Sequence, residues 1–450
     1  MGLTSSVSFI RLLVNKTHCA RLGHLVGKAQ RVWQLIYKLP LFFLAVPFVL
    51  IIRLMKPWIL IRIGGLISVR IGHFGANTEL YLCERDAGIN VPKKRYIDLF
   101  FLINPICNLQ LASMWRRVLH VWPAWMLNPI ARINRMIPGG TRHEIGHNTQ
   151  QDRDVNNLLD RFPPHLHFNA EELARGEAGL RAMGIPHDAS FVCLIVRDSA
   201  YLDTYLTRNW NYHNYRDSDV QNYILAAEAL ASRGYFVIRM GAKVHAPMNT
   251  QNPKIINYAT NGMRDDFLDI YLGAMCTFCV TTGTGWDAIP GLVFRRPVCY
   301  VNHVPVGDLC TYISKAVLLS KHHFSLQMNR DLSLSEIFAS GVGYSIHTSD
   351  YDSKRIRLIE NTPEEIRDVV IEMAERQNGI WQANAGDNAL QLKFWEIFLL
   401  NAAHGQHGRP MHGRIHAFFG ATFLRDNQRW LDTPPQVDGR QQATSNPELN

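Results

Sequence analysis

The chain has 450 residues, 47% hydrophobic and 19% charged, a balance that supports large buried cores and excludes wholesale disorder, a collagen, a coiled-coil rod and a polytopic membrane protein. Eight scattered cysteines, several inside apolar runs, exclude a disulfide scaffold and read as reduced, buried thiols of a cytosolic compartment. The net charge of +9 is confined to the N-terminal arm, where ten basic side chains from Arg11 to Arg70 precede the first acid, Glu79, so +9 less +10 leaves about −1 for everything after it; a nucleic-acid enzyme would spread its basic residues over the folded body.

The arm leads into Leu41–Ile52, twelve uncharged apolar residues, then Arg53 and Lys56, then a second apolar run from Pro57 to Ile61. Crossing a bilayer takes about 20 apolar residues, and Pro47 and Pro57 favour a kinked, shallow segment. No small-residue cleavage site follows, which argues against a signal peptide. Residues 1–62 are therefore expected to be a basic, partly inserted anchor on an anionic membrane surface, each cation contributing about 1 kcal/mol. That places the protein at the cytoplasmic face of the inner membrane, peripheral or monotopic. The alternatives are a buried core helix with a solvated basic lead, or a true crossing with Arg53 and Lys56 snorkelling.

Beyond the anchor, short apolar runs alternate with amphipathic stretches, the pattern of α/β domains with parallel sheets. Leu66–Ile71 predicts a strand ending in a Gly72-His73-Phe74-Gly75 loop, and Ile97–Ile103 a second. Pro123–Pro164 offers only loops and short helices, and Glu171–Met183 reads as a helix stopped at Gly184. Phe191–Val196 predicts a strand buried on both faces, and Tyr235–Met240, Ile255–Tyr258, Thr277–Thr281 and Val298–Val301 predict the strands that follow. Ser218 with Gln221, and Thr362-Pro363-Glu364-Glu365, predict capped helices. The expected organisation is an anchor (1–62), a first α/β domain (63–185), a doubly wound second domain (186–400), and C-terminal helices packing back on the first domain before a disordered tail (401–450).

In open parallel sheets ligands bind beyond the carboxyl ends of the strands. Those ends here are Arg197-Asp198, Arg239-Met240-Gly241, Thr282-Gly283-Thr284-Gly285 and Asn302-His303, polar or glycine-rich after apolar strands. The Thr282–Gly285 turn could cradle a diphosphate with its N–H groups and the next helix dipole, while Arg197 and Arg239 supply bidentate donors. A nucleotide diphosphate site is expected. No Walker motif occurs, and the missing G-x-G-x-x-G fingerprint disfavours a dinucleotide dehydrogenase.

The segments FVCLIVRDSAYL, YRDSDVQNYILAAEALASRGYFVIRMG, DDFLDIYLGAMCTFCVTTGTGWDAIPGLVFRRPVCYVNHVP and ENTPEEI, with RIGHFGANTELYL and DRDVNNLLDRFPPHLHF, resemble a bacterial family of GT-B glycosyltransferases found with cell-surface polysaccharide synthesis. The resemblance covers roughly residues 50–400. It implies two Rossmann-like domains facing a cleft, a nucleotide-sugar donor in the C-terminal one, a lipid-linked or polysaccharide acceptor mainly on the N-terminal one, and a metal-independent reaction with no cofactor. On that footing His73 is the candidate general base, Asn77 and Glu79 hold the acceptor or the imidazole, and Arg197, Arg216 and Arg239 meet the departing phosphate.

Other motifs compete. His143-Glu144-Ile145-Gly146-His147 matches the H-E-x-x-H zinc-peptidase pattern, with a glycine inside and Pro138-Gly139-Gly140 before it. Three D-x-D triplets show how cheap that pattern is, Cys276 and Cys279 read as buried thiols, and Glu364 and Glu372 as a solvated helix face. A sugar-nucleotide epimerase of the same fold, the membrane-attached zinc peptidase and a non-catalytic carbohydrate-binding scaffold are the alternatives.

Overall fold

A computed structural model describes residues 40–146, 153–200, 211–402 and 411–432. Most of the basic arm, His147, Asp152 and the 433–450 tail lie outside the described residues. The chain forms two compact units interleaved in sequence: Met1–Leu66, Pro92–Ile103 and Leu119–Gly146 make the first, and Ile67–Val91, Asn104–Val118 and His147–Asn450 the second. The expected 63–185 domain is thus divided, because two of its helices bury their apolar faces in the second unit.

In the first unit, helix α1 (residues 40–54) precedes strand β1 (Leu60–Leu66). β1 pairs in parallel with β2 (Tyr96–Leu102), and the register sets Arg62 opposite Asp98. That pair is buried and bidentate, with Nε–Oδ1 at 2.7 Å. The strand expected at 66–71 therefore lies about six residues earlier, over a run whose arginine and two glycines disguise it. Gly64 is needed because a Cβ there would meet Ile145 at 3.0 Å. Helix α4 (Ala124–Met136) packs Leu127, Ile130 and Ala131 on Ile63, Phe101, Ala45 and Val49. Among the described residues this unit holds a two-stranded sheet, so the expectation of two doubly wound domains is corrected for the first.

The second unit begins with α2 (Ile71–Asp86), where a loop was expected at Gly72–Gly75. Those glycines serve packing rather than a turn: a Cβ on Gly72 would lie 2.9 Å from the Gly285 backbone, and one on Gly75 would lie 3.1 Å from Ile289 and Val293. α3 (Leu109–Val118) buries Met114 and Trp115, and the Trp115 indole donates to the Phe74 carbonyl at 3.1 Å. α5 (Ala170–Ala182) starts at an Asn169/Glu172 capping box.

Strands β3 (Phe191–Ile195), β4 (Phe236–Arg239), β5 (Ile255–Ile256), β6 (Phe278–Thr281), β7 (Val298–His303) and β8 (Ala316–Ser320) form a parallel sheet ordered β8-β7-β6-β3-β4-β5. β9 (His322–Ser325), β10 (Arg330–Asp331) and β11 (Ile356–Ile359) make a small antiparallel sheet. β12 (Phe418–Phe419) adds to the outer edge of β8, so residues 411–432 complete the second unit's sheet, and Arg414 exchanges two 2.8 Å hydrogen bonds with Asn157, which belongs to the end of the expected first domain. Phe419, Phe423, Leu424 and Trp430 join its core. No described helix is long and apolar enough to cross a membrane.

Candidate functional site

The chain starts its large sheet at β3, runs outward through β4 to β5, then returns to place β6 on the other side of β3. This reversal is a topological switch point, and the two connections leave a crevice at the carboxyl ends of β3 and β6. Arg197 stands at one end and Thr282 at the other, tied by a 3.0 Å bond from the Arg197 N–H to the Thr282 hydroxyl oxygen. The Thr281 hydroxyl donates to Asp287 at 3.1 Å and accepts from the N–H groups of Gly283 at 3.0 Å and Thr284 at 3.4 Å. Gly283 has φ +78°, and a Cβ there would lie 2.6 Å from His303 Nδ1, so only glycine closes this turn.

That geometry revises the expected diphosphate cradle. Two of its N–H groups are satisfied by Thr281, and the segment that follows is a five-residue π-turn, Ile289–Val293, rather than an α-helix with a useful dipole. Anion recognition passes to side chains. The Arg216 guanidinium bonds the Gly283 carbonyl, and its Nε is buried without a hydrogen-bond partner. Arg197 Nε lies 3.2 Å from Asp217, and its pKa is lowered first by burial and then by repulsion from Arg216. His213 is pushed down to about 4 by burial and by Arg197, Arg216, His347 and Arg70, so these positive fields converge. Lys321, at the end of β8, donates to the Asp217 carbonyl at 2.5 Å, and burial lowers its pKa. Burial also pushes His303 down to about 4; with Nε2 donating to the Asp308 carbonyl at 3.3 Å, Nδ1 is left as an acceptor. His303 Nδ1 and Thr284 Oγ1 are buried without partners. A ligand that brought negative charge and hydroxyl groups would relieve the crowded cations and unsatisfied polar atoms around Gly283.

Several expected site residues are used elsewhere. Arg239 is 1% exposed; its two terminal nitrogens donate to the Met240 carbonyl at 2.6 Å and the Val196 carbonyl at 3.1 Å, clamping β3 to β4, while its Nε is buried without a partner, and burial pushes its pKa down to about 10. Asn302, at φ +54°, donates to the Tyr223 hydroxyl at 3.0 Å and accepts the Asn361 N–H at 2.7 Å, locking β7 to the segment after β11. Asp198 accepts from the N–H groups of Ala200 and His245 and holds a loop. Gly241, at φ +153°, stands where a Cβ would lie 2.6 Å from Val244. Gly285 is exposed and abuts Gly72, which sets the first turn of α2 beside the turn after β6.

That first turn carries His73, whose Nδ1 is 3.1 Å from the Asn77 side-chain oxygen one turn on. Glu79 does not share this role. It is fully buried, 2.6 Å from Arg295 and 3.0 Å from His165. Burial works against charge on His165, but its bonds to Cys83, Glu79 and Asp86 outweigh that and raise its pKa to about 10. Glu79, Cys83 and His165 gather within 4.8 Å in the manner of a metal site, yet the Arg295 guanidinium lies among them, 3.4 Å from Cys83 Sγ, and fills the cation's place.

The zinc-peptidase pattern fails on its backbone. Gly140–His143 is a 3₁₀ turn, Glu144 is extended and bridges to Ile63, and among the described residues of the motif, which exclude His147, no α-helix forms. His143 bonds the Ile61 carbonyl at 2.8 Å, and Glu144 pairs with Arg135 at 3.0 Å. Glu372, expected on a solvated face, is buried against Arg376 and the Ala421 N–H. Sequence reasoning reached His303 only as part of a polar strand end, and missed Thr281 and Lys321 as members of the site. The only signal for Thr281 was a threonine two residues before a glycine, the spacing of a hydroxyl-capped turn.

No family model and no curated protein matches the chain. Among solved structures it is similar to a glycosyl transferase family 9 protein from Veillonella parvula, with 10% identity and a TM-score of 0.40, covering 70% of this chain and 96% of that one. It is similar to the E. coli ADP-heptose lipopolysaccharide heptosyltransferase II, with 13% identity and a TM-score of 0.38, covering 71% and 100%. An iron-containing dodecameric heptosyltransferase in complex with ADP-heptose aligns at 9% identity and a TM-score of 0.31, covering 70% and 76%.

Proposed function

We propose that the chain is a glycosyltransferase that takes a sugar from a nucleoside-diphosphate donor and passes it to a lipid-linked or polysaccharide acceptor. One observation carries this reading: at the switch point between β3 and β6, Arg197 and Arg216 crowd together beside the unpartnered Arg216 Nε, Thr284 Oγ1 and His303 Nδ1. As the bond from the sugar to the donor phosphate breaks, negative charge grows on the leaving diphosphate. Arg197, Arg216 and Lys321 are placed to meet it, which assigns to fixed cations the charge compensation a metal gives elsewhere. His73 takes the acceptor hydroxyl's proton. With Nδ1–H donating to Asn77, Nε2 is the basic nitrogen, and attack on the sugar's opposite face inverts its configuration.

The test is a thermal-shift screen of the full-length protein with ADP-, UDP-, GDP- and CMP-sugars, ADP-heptose included. One nucleotide class should raise the melting temperature, and Arg197→Gln should weaken that ligand about ten-fold or more while leaving the unliganded melt in place. His73→Gln should keep donor binding and slow transfer by about a hundred-fold or more. A protein that no sugar nucleotide stabilises is not a glycosyltransferase of this kind; one that converts the donor sugar to its epimer with the diphosphate bond intact and no acceptor present is an epimerase.

A further inference from the structure

α1 has no charged side chain between Leu41 and Ile52, yet it packs through one narrow face, with Ala45 and Val49 buried in the first unit's core. The rest of its circumference is apolar and uncovered: Phe43 is 72% exposed and Leu54 71%, followed by Trp58 at 76%. On α4, Trp125, Arg132 and Met136 fall on one exposed stripe by helical spacing. Half of the large apolar side chains exposed among the described residues belong to this unit, although it is much the smaller of the two. A helix that is apolar all round requires an apolar surrounding on every side.

Charge identifies the occupant. The first unit contains fifteen Lys and Arg against two acids, a net +13, so the whole-chain charge of +9 leaves −4 on the second. Both acids are already neutralised within it, Asp98 by Arg62 and Glu144 by Arg135. A second copy would bring the same positive charge against this face. The chain's own residues 1–39 hold six basic side chains and no acid, so they fit no better. An anionic lipid surface supplies both an apolar phase and negative charge. Exposed Trp58, Trp122 and Trp125 are the residue type that settles at the headgroup level.

We propose that the outer face of α1, Trp58 and the exposed stripe of α4 form a monotopic docking face for an anionic phospholipid bilayer, with Lys56, Lys93 and Arg132 meeting headgroups. Arg53 is not among them. Its guanidinium bonds the Asn134 carbonyl at 3.1 Å, that of Ile137 at 3.0 Å and that of Pro138 at 2.8 Å, closing the end of α4. The alternative of a true crossing, in which Arg53 snorkels, does not fit these bonds. This proposal stands apart from the glycosyl-transfer reading and is read without any activity.

Full-length protein is floated with vesicles of phosphatidylcholine alone or with a third of phosphatidylglycerol, alongside Phe43→Asp/Leu54→Asp, which alters two exposed positions and leaves Ala45 and Val49 in place. Wild type should float with the anionic vesicles and about ten-fold less with neutral ones, and the double variant should lose about ten-fold with an unchanged melting temperature. A double variant that floats as wild type does would assign attachment to residues 1–39 and overturn the docking face. Wild type that floats with neither vesicle overturns it too, as does a wild-type dimer that the substitutions disperse without any lipid binding.

Discussion

Glu79 shows how far a residue's role depends on what the fold brings to it. In the sequence it looks like Asn77, the other candidate acceptor contact, a polar side chain on the same helix. In the structure it is buried between Arg295, 216 positions away, and His165, 86 away. Removing one partner of a buried pair leaves the other charge uncompensated, so Glu79→Gln should cost about 3–5 kcal/mol in urea unfolding. The pair also sets a pH dependence. His165 is raised to about 10 in the folded chain against an ordinary value of about 6.5, so the stability it lends is complete below about 6.5 and drains away as pH rises toward 10. The urea midpoint of wild type should therefore fall further between pH 7 and pH 10 than that of His165→Gln. Equal falls would show that this histidine does not carry its proton into the neutral range.

Elements were legible where their signals are local. Thr362 caps the helix Pro363–Gln377 as its sequence announces: the Glu365 N–H bonds the Thr362 hydroxyl at 3.2 Å, and the Thr362 N–H bonds the Glu365 carboxylate at 2.9 Å. Thr362→Ala should cost about 1 kcal/mol in a urea or calorimetric melt, the loss of one cap bond. The buried strands of the second half were equally plain, because a parallel strand covered on both faces is a continuous apolar run. Start signals failed where glycine had a tertiary cause. Gly72 and Gly75 read as a loop, but they open α2, since side chains there would strike Gly285, Ile289 and Val293. The cap expected at Ser218 falls instead to Asp219, whose carboxylate accepts the Gln221 N–H at 2.9 Å.

The division of the whole chain carries its own prediction. Because α2 and α3 supply Phe74, Trp115 and Glu79 to the second unit, a fragment of residues 186–400, the doubly wound domain as sequence delimits it, lacks part of its own core and the β12 edge. Expressed alone it should melt without cooperativity, or aggregate, in a calorimeter, whereas the full chain shows a cooperative transition. A sharp, reversible transition for the fragment would restore the simpler boundary.

The sequence by itself determined the parallel α/β character of the second half, the polar strand ends and the concentration of positive charge toward the N-terminus, because apolar runs, turn residues and charge are properties of neighbouring positions. Tertiary structure alone decided that β6 returns beside β3, that Arg239 and Asn302 tie neighbouring strands and segments together while Arg197 and Arg216 crowd one another at the crevice, and that the outer face of α1 stays bare. Each of those outcomes depends on which distant residue arrives to satisfy a donor or cover an apolar surface. Such a partner is chosen by chain crossing and packing, not by spacing along the backbone.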